Sequence, residues 1–235
     1  MNRIIIYNSI MKKIVLLFLL ILPLSLMGQP GKQYARAKTW DKTIANFLKE
    51  DEGKQYQNPI LFIGSSSFTR WDNIASYFPE HNVLNRGFGA SVTTDLIYYA
   101  NQIIFPYQPA QVVIYEGDND LVNNGTVEGF IRDMKTLIRM IEINMPGVPI
   151  LLVSVKPSPR RDKYLDRYLD ANLELHKIAR ENKHISFSDV ASLMMDEKGE
   201  YRYDLFAADS LHINKKGYDL WASRIKQQLI SPNKE

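Results

Sequence analysis

Two textures of apolar patterning alternate along the chain. Short apolar-rich runs at residues 60–64, 82–85, 111–115, 149–155 and 184–187 read as strands. The first of these stops dead at Gly64, the mark of a strand buried on both faces and ended by a turn. Between the runs, apolar positions recur at three- and four-residue spacing over residues 33–54, 68–78, 94–104, 127–144, 162–182 and 213–229, and these predict helices. Strands alternating with helices predict an α/β domain: a parallel sheet covered on both faces, with right-handed crossovers. No repeat, linker or low-complexity stretch divides it.

The polar loops have a pattern of their own. Residues 65–67, 87–91, 117–120 and 156–161 each follow the end of a predicted strand. A doubly wound sheet gathers such loops on one rim, where open α/β sheets bind ligands. Ordinary scattered turns would show no such convergence.

Three hydroxyls stand on the first of these loops: Ser65, Ser66 and Ser67. A hydroxyl becomes a useful nucleophile when a base takes its proton and a third group orients the base. Of the four histidines, His81, His176 and His184 have no acid in a suggestive frame. His212 lies three residues after Asp209, just before the last helix. In a loop, that spacing lets a carboxylate take one imidazole nitrogen and leave the other free. The same residues also fit a plain helix-entry turn with a capping aspartate. Asn119, directly after the third strand, is a candidate amide donor for an oxyanion, or simply a turn asparagine. Backbone N–H groups at Ser66 and Ala90 sit where loop passes into helix.

Composition adjusts this picture at the N-terminus. Lys12-Lys13, the apolar run of residues 14–27 and the small or polar exit Gly28-Gln29-Pro30-Gly31 describe a secretory signal peptide over residues 1–28. Met11 serves equally well as its start, and an uncleaved anchor is the alternative. The domain then spans residues 29–235, exported to a bacterial periplasm or beyond. Residues 1–28 hold Arg3, Lys12 and Lys13 and no acid, so the whole-chain charge of +3 belongs to them. The remainder is balanced, which argues against a nucleic-acid partner. With no cysteine there is neither a disulfide framework nor a thiolate nucleophile. No His and carboxylate cluster has ligand spacing and no glycine loop has a phosphate-binding pattern, so neither metal nor cofactor is implied.

Taken together, Gly64-Ser65-Ser66-Ser67, Asn85-Arg86-Gly87-Phe88-Gly89-Ala90, Gly117-Asp118-Asn119-Asp120 and Asp209-Ser210-Leu211-His212 resemble, in order, the four blocks of the SGNH (GDSL-type) hydrolases. The similarity covers residues 58–230. It implies a flavodoxin-like three-layer α/β/α sandwich with a mostly parallel five-stranded sheet, and a serine esterase or acylhydrolase mechanism. Block by block, Ser66 takes the nucleophile position, His212 the base and Asp209 its partner; the oxyanion donors are Ser66 N–H, Ala90 N–H and the Asn119 amide. Two departures stand out. Ser65 replaces the family's aspartate, and Ala90 replaces its oxyanion glycine, restricting the backbone there.

For the substrate, Trp71, Phe88, Tyr98, Tyr107 and Tyr203 supply aromatic faces around the rim, and Lys156, Arg160 and Arg161 supply donors. Export and this chemistry favour small O-acyl esters, above all O-acetyl groups on carbohydrate. Lipid acyl hydrolysis, acyl transfer to a sugar and non-catalytic glycan binding are the alternatives. No membrane contact is expected once the leader is gone.

Overall fold

The computed structural model describes residues 37–231. The expected signal peptide lies outside them. A 3-10 turn at Ala37–Trp40 leads into α1 (Asp41–Glu50), followed by β1 (Ile60–Gly64), the one-turn α2 (Ser66–Thr69), β2 (Val83–Asn85), α3 (Thr93–Ile103) and β3 (Gln111–Tyr115). Then come α4 (Val127–Asn144), β4 (Ile150–Val153), α5 (Leu165–Glu181), β5 (Ile185–Ser188) and α6 (Lys215–Lys226).

The five strands form one sheet in the order β2-β1-β3-β4-β5, and every pairing is parallel. This is the flavodoxin-like order, whose strand sequence reverses between β1 and β3. Side chains alternate between two apolar layers. Leu61, Ile63, Val112, Ile114, Ile150 and Leu152 face one core, shared with α1, α3, α4 and α5. Ile60, Phe62, Val113, Tyr115, Leu151 and Val153 face the other, shared with α2 and α6. Period-two alternation with both faces apolar is why these strands read as unbroken runs. No helix among the described residues is long and apolar enough to cross a membrane.

One predicted helix is different. Residues 68–78 form the end of α2 and a separate 3-10 turn, Ile74–Tyr77, because Asn73 takes a left-handed backbone (φ 52°) that interrupts the helix. The apolar spacing that suggested one helix instead brings Phe68, Trp71 and Phe78 onto Phe62 of β1, with ring centroids 5.2–6.4 Å apart.

The register opposes Gly64 to Tyr115 at the carboxyl ends of β1 and β3. Gly64 has φ 146°, and a Cβ built there would lie 2.0 Å from the Tyr115 carbonyl oxygen. Hydrogen is the only side chain that fits. Gly64→Ala should therefore destabilise the protein by at least about 3 kcal/mol, read as a lower urea midpoint. A midpoint unchanged by the substitution contradicts this packing.

Candidate active site

The chain leaves β1 at Gly64 and turns at once into α2. Ser65 N–H donates to the Tyr115 carbonyl (3.2 Å), which ties the turn to β3. Ser66 is the first residue of α2, where a backbone N–H has no carbonyl within the helix. Ser65 and Ser67 are buried, and Ser66 is the partly exposed member of the trio. The Ser65 side chain makes no capping bond to the helix.

The last loop meets this serine across 146 positions of sequence. His212 Nε2 lies 3.0 Å from Ser66 Oγ, and His212 Nδ1 lies 2.6 Å from Asp209 Oδ2. The other carboxylate oxygen accepts from the backbone N–H groups of Leu211 (3.0 Å) and His212 (2.9 Å). Burial opposes charge on Asp209, but the His212 ring and these two N–H groups outweigh it and hold its carboxyl well below the usual carboxylate range. An ionised Asp209 has only lone pairs to offer, so Nδ1 carries the ring hydrogen. In the neutral ring Nε2 is then the acceptor that faces the Ser66 hydroxyl. This arrangement can move a proton from oxygen to imidazole. The other histidines stand elsewhere: His81 Nε2 is 3.1 Å from the Ile230 carbonyl, His176 packs against Phe187, and His184 is exposed at the start of β5.

After β3, the block at residues 117–120 is fixed from several sides. Asp120 accepts from the N–H groups of Thr93 (2.8 Å) and Gly117 (3.1 Å). Asn119 Nδ2 donates to the Ser91 carbonyl (2.9 Å), linking this block to the one after β2. Ser91 in turn donates its hydroxyl to the buried Glu116 (2.5 Å), whose carboxyl is pushed well above the usual range by burial and by the nearby Asp120 charge. Ala90 adopts φ 60°, left-handed for an alanine, in the place where the resemblance expects glycine. Arg86 anchors this loop from below: it donates to Tyr107 Oη (2.8 Å) and the Asn85 carbonyl (2.9 Å) and ion-pairs with Asp51 beyond the end of α1.

Several expected substrate contacts are corrected. Trp71 is buried and stacked on Tyr218, centroids 4.9 Å apart. Phe88 is buried edge-on to Trp40 and Tyr99, and Tyr107 is buried on Arg86 and Asp51. Apolar surface wins these rings for the core, since loop residues next to a strand end can turn inward as well as outward. Lys156, with its side chain 0% exposed, pairs with Asp118 Oδ2 at 2.9 Å. Arg160 stays exposed, its backbone N–H donating to the Ser210 carbonyl (3.1 Å), and Tyr98 and Tyr203 are exposed.

Asp118 is the group that sequence reasoning missed. Its carboxylate is paired with Lys156 and Arg161 and accepts from Tyr115 Oη (3.1 Å) and Tyr168 Oη (3.3 Å). Burial works against its charge, and the two cations outweigh that and hold its carboxyl below the ordinary range. Its two cationic partners lie 38 and 43 residues away, so no local spacing could have revealed them.

The sequence profile of the GDSL-like lipase/acylhydrolase family matches residues 55–220, a span that contains Ser66, Ala90, Asn119, Asp209 and His212. The chain belongs to this family. Among solved structures, a GDSL-like lipase from Bacteroides thetaiotaomicron superposes with a TM-score of 0.68 at 20% identity, over 79% of this chain and 96% of the other. The lipase/acylhydrolase from Enterococcus faecalis gives 0.64 at 19% identity, over 76% and 100%. A catalytic mutant of an acetylxylan esterase from Geobacillus stearothermophilus gives 0.60 at 16%, over 74% and 95%. These likenesses show the fold. A comparison with curated proteins found no match.

The Asp118 cluster generates a stability test for this acylhydrolase. Asp118→Asn leaves Lys156 buried without its counter-charge and should cost about 3–5 kcal/mol at neutral pH. A carboxyl lowered by folding contributes stability above its unfolded pKa and loses it as pH falls through the lowered folded value. Urea unfolding across pH should therefore show the gap between native protein and variant closing on acidification. A gap constant from neutral to strongly acid pH contradicts the pairing.

Proposed function

We propose that this acylhydrolase is a serine esterase that cleaves small O-acyl esters, chiefly O-acetyl groups on carbohydrate, through an acyl-serine intermediate. The observation that carries this reading is the unbroken relay from Ser66 Oγ through His212 to Asp209, at 3.0 and 2.6 Å. Ser66 Oγ attacks the ester carbonyl carbon while His212 Nε2 takes the hydroxyl proton, and Asp209 steadies the imidazolium. The negative charge that forms on the carbonyl oxygen is met by Ser66 N–H, Ala90 N–H and the Asn119 amide. His212 returns the proton to the departing alcohol oxygen as the C–O bond breaks. Water then repeats the sequence on the acyl-serine, giving the free acid and restoring the Ser66 hydroxyl.

Two features support a hydroxyl-rich leaving group over a long acyl chain. A cavity of about 410 Å³ adjoins Asn119, and Thr94, Asn124, Thr126, Arg132 and Asp133 are among its lining residues. Such a wall offers donors and acceptors to sugar hydroxyls rather than apolar surface to a lipid tail. Arg160, exposed and fastened to the His212 loop through Ser210, adds a donor beside that loop. The acetylxylan esterase among the neighbours acts on a substrate of this class. Export of the chain by residues 1–28 would place the enzyme where polymeric glycans are met.

Ser66→Ala should abolish both hydrolysis of p-nitrophenyl acetate and labelling by a fluorophosphonate probe. Asn119→Ala should keep the labelling site but lower turnover on the order of 10²–10³-fold. Undiminished hydrolysis by Ser66→Ala, or a label mapped by mass spectrometry to Ser65 or Ser67, overturns the assignment. Acetate released from acetylated xylan and not from a phospholipid is the expected substrate pattern. Export predicts a secreted protein whose first residue follows Gly28 or a near neighbour; an intact N-terminus in the secreted or periplasmic fraction contradicts it.

A further inference from the structure

Asn119 is held between groups of opposite hydrogen-bonding sense. Its Oδ1 accepts from Arg161 Nη2 at 2.9 Å, and its Nδ2 donates to the Ser91 carbonyl at 2.9 Å. The two ends of a carboxamide have nearly the same shape, so packing alone does not tell them apart. Chemistry does. Turned over, the amide would set its NH2 against a guanidinium, which can only donate, and its oxygen against a carbonyl, which can only accept. Both bonds would become repulsions. In the observed orientation one Nδ2 hydrogen is used on Ser91 and the second is left for a ligand.

Arg161 is itself held where this is possible. It lies on the 3-10 segment Pro159–Tyr164 after β4, and its N–H donates to the Ser158 carbonyl (2.9 Å). One arm of its fork takes the Asp118 carboxylate and carbonyl and the other takes Asn119 Oδ1. A planar guanidinium serves two neighbouring acceptors at once; an ammonium is a point charge on a flexible stem. With Lys156 also on Asp118, the cluster holds two cations against one carboxylate.

We propose that Arg161 is a positioning residue that locks the Asn119 side chain with its N–H, rather than its oxygen, turned to the oxyanion. The proposal rests on the esterase reading for its catalytic consequence but not for its structural one. If the lock is absent, an asparagine free to turn presents lone pairs to a developing negative charge for part of the time. Turnover falls, while ground-state affinity is little changed.

The test uses Arg161→Met, which removes the donor, and Arg161→Lys, which keeps a cation on Asp118 and so protects the fold. Each is made alone and with Asn119→Ala, in the full chain. The first readout is independent of any substrate: the side-chain NH2 resonances of Asn119 in a ¹⁵N–¹H spectrum, assigned by their loss in Asn119→Ala. In the native protein the two hydrogens should be well separated, and in both Arg161 variants they should collapse toward the values of a solvated amide. The second readout is p-nitrophenyl acetate hydrolysis. Each Arg161 variant should lose on the order of 10–100-fold in kcat with KM within about threefold. In the Asn119→Ala background the same changes should cost less than about twofold. An unmoved Asn119 resonance pair overturns the proposal, as does an equal loss with and without Asn119 or a loss confined to KM. If the resonances collapse in a protein whose native form hydrolyses no ester, the lock stands and the esterase reading falls.

Discussion

β1 and β3 approach each other so closely at their carboxyl ends that only a hydrogen atom fits between Gly64 and the Tyr115 carbonyl. This approach occurs where the strand order reverses, and the chain leaves the two strands in different directions there. From β1 it enters α2 with Ser66 at its head. From β3 it enters the turn that carries Asp118 and Asn119. Two segments about fifty residues apart in sequence therefore face one crevice because their parent strands are neighbours. The bond from Ser65 N–H to the Tyr115 carbonyl fastens the two exits together.

The crevice is polar in a molecule whose sheet is apolar on both faces, and that contrast has to be balanced locally. Asp118, Glu116 and Asp120 cluster within a few residues of one another, and each meets burial differently. Asp118 keeps its charge because Lys156 and Arg161 stand against it. Asp120 accepts from two backbone N–H groups, yet burial still lifts its carboxyl to about 6. Glu116 is pushed furthest toward the neutral form and receives the Ser91 hydroxyl. The result is a rigid floor of charge-assisted and neutral hydrogen bonds beneath Asn119.

How much of this could be read from the sequence differs from residue to residue. β1, β3 and β4 are legible because burial on both faces removes polar interruptions, whereas the short β2 and the serine-bearing β5 are only partly buried and give a weaker pattern. The longest of the described helices, α4, was legible to the residue: Thr126 caps it by accepting from Gly129, and Pro146 follows its end. The four blocks were legible as a set, and the structure joins Ser66 to His212 and Asp209 across the distance that sequence spans. What local pattern cannot encode is which way a loop side chain turns. Trp71 and Phe88 were expected at the rim and lie in the core, and Lys156 was expected to meet substrate and meets Asp118. Arg161 was visible only as one of three basic residues in a row of prolines and serines. Its partners are set by the pairing of β3 with β4, a property of tertiary structure alone.

The loop bearing Asp209 and His212 is attached to the rest of the molecule in a distinct manner. It belongs to no strand of the sheet; a single antiparallel bridge, Phe206 to Ile213, closes its neck, with Ala207 N–H on the His212 carbonyl and Arg160 N–H on the Ser210 carbonyl. Ser66 and Asn119, by contrast, hang directly from central strands. The Arg160 bond nevertheless ties this loop to the segment Pro159–Tyr164, whose next residue, Arg161, holds Asn119, so His212 and Asn119 share an anchor. Opening the neck would separate His212 from Ser66 and at the same time release one tether of the segment that fixes Asn119, so a local loosening near the carboxyl terminus would be felt on both sides of the crevice.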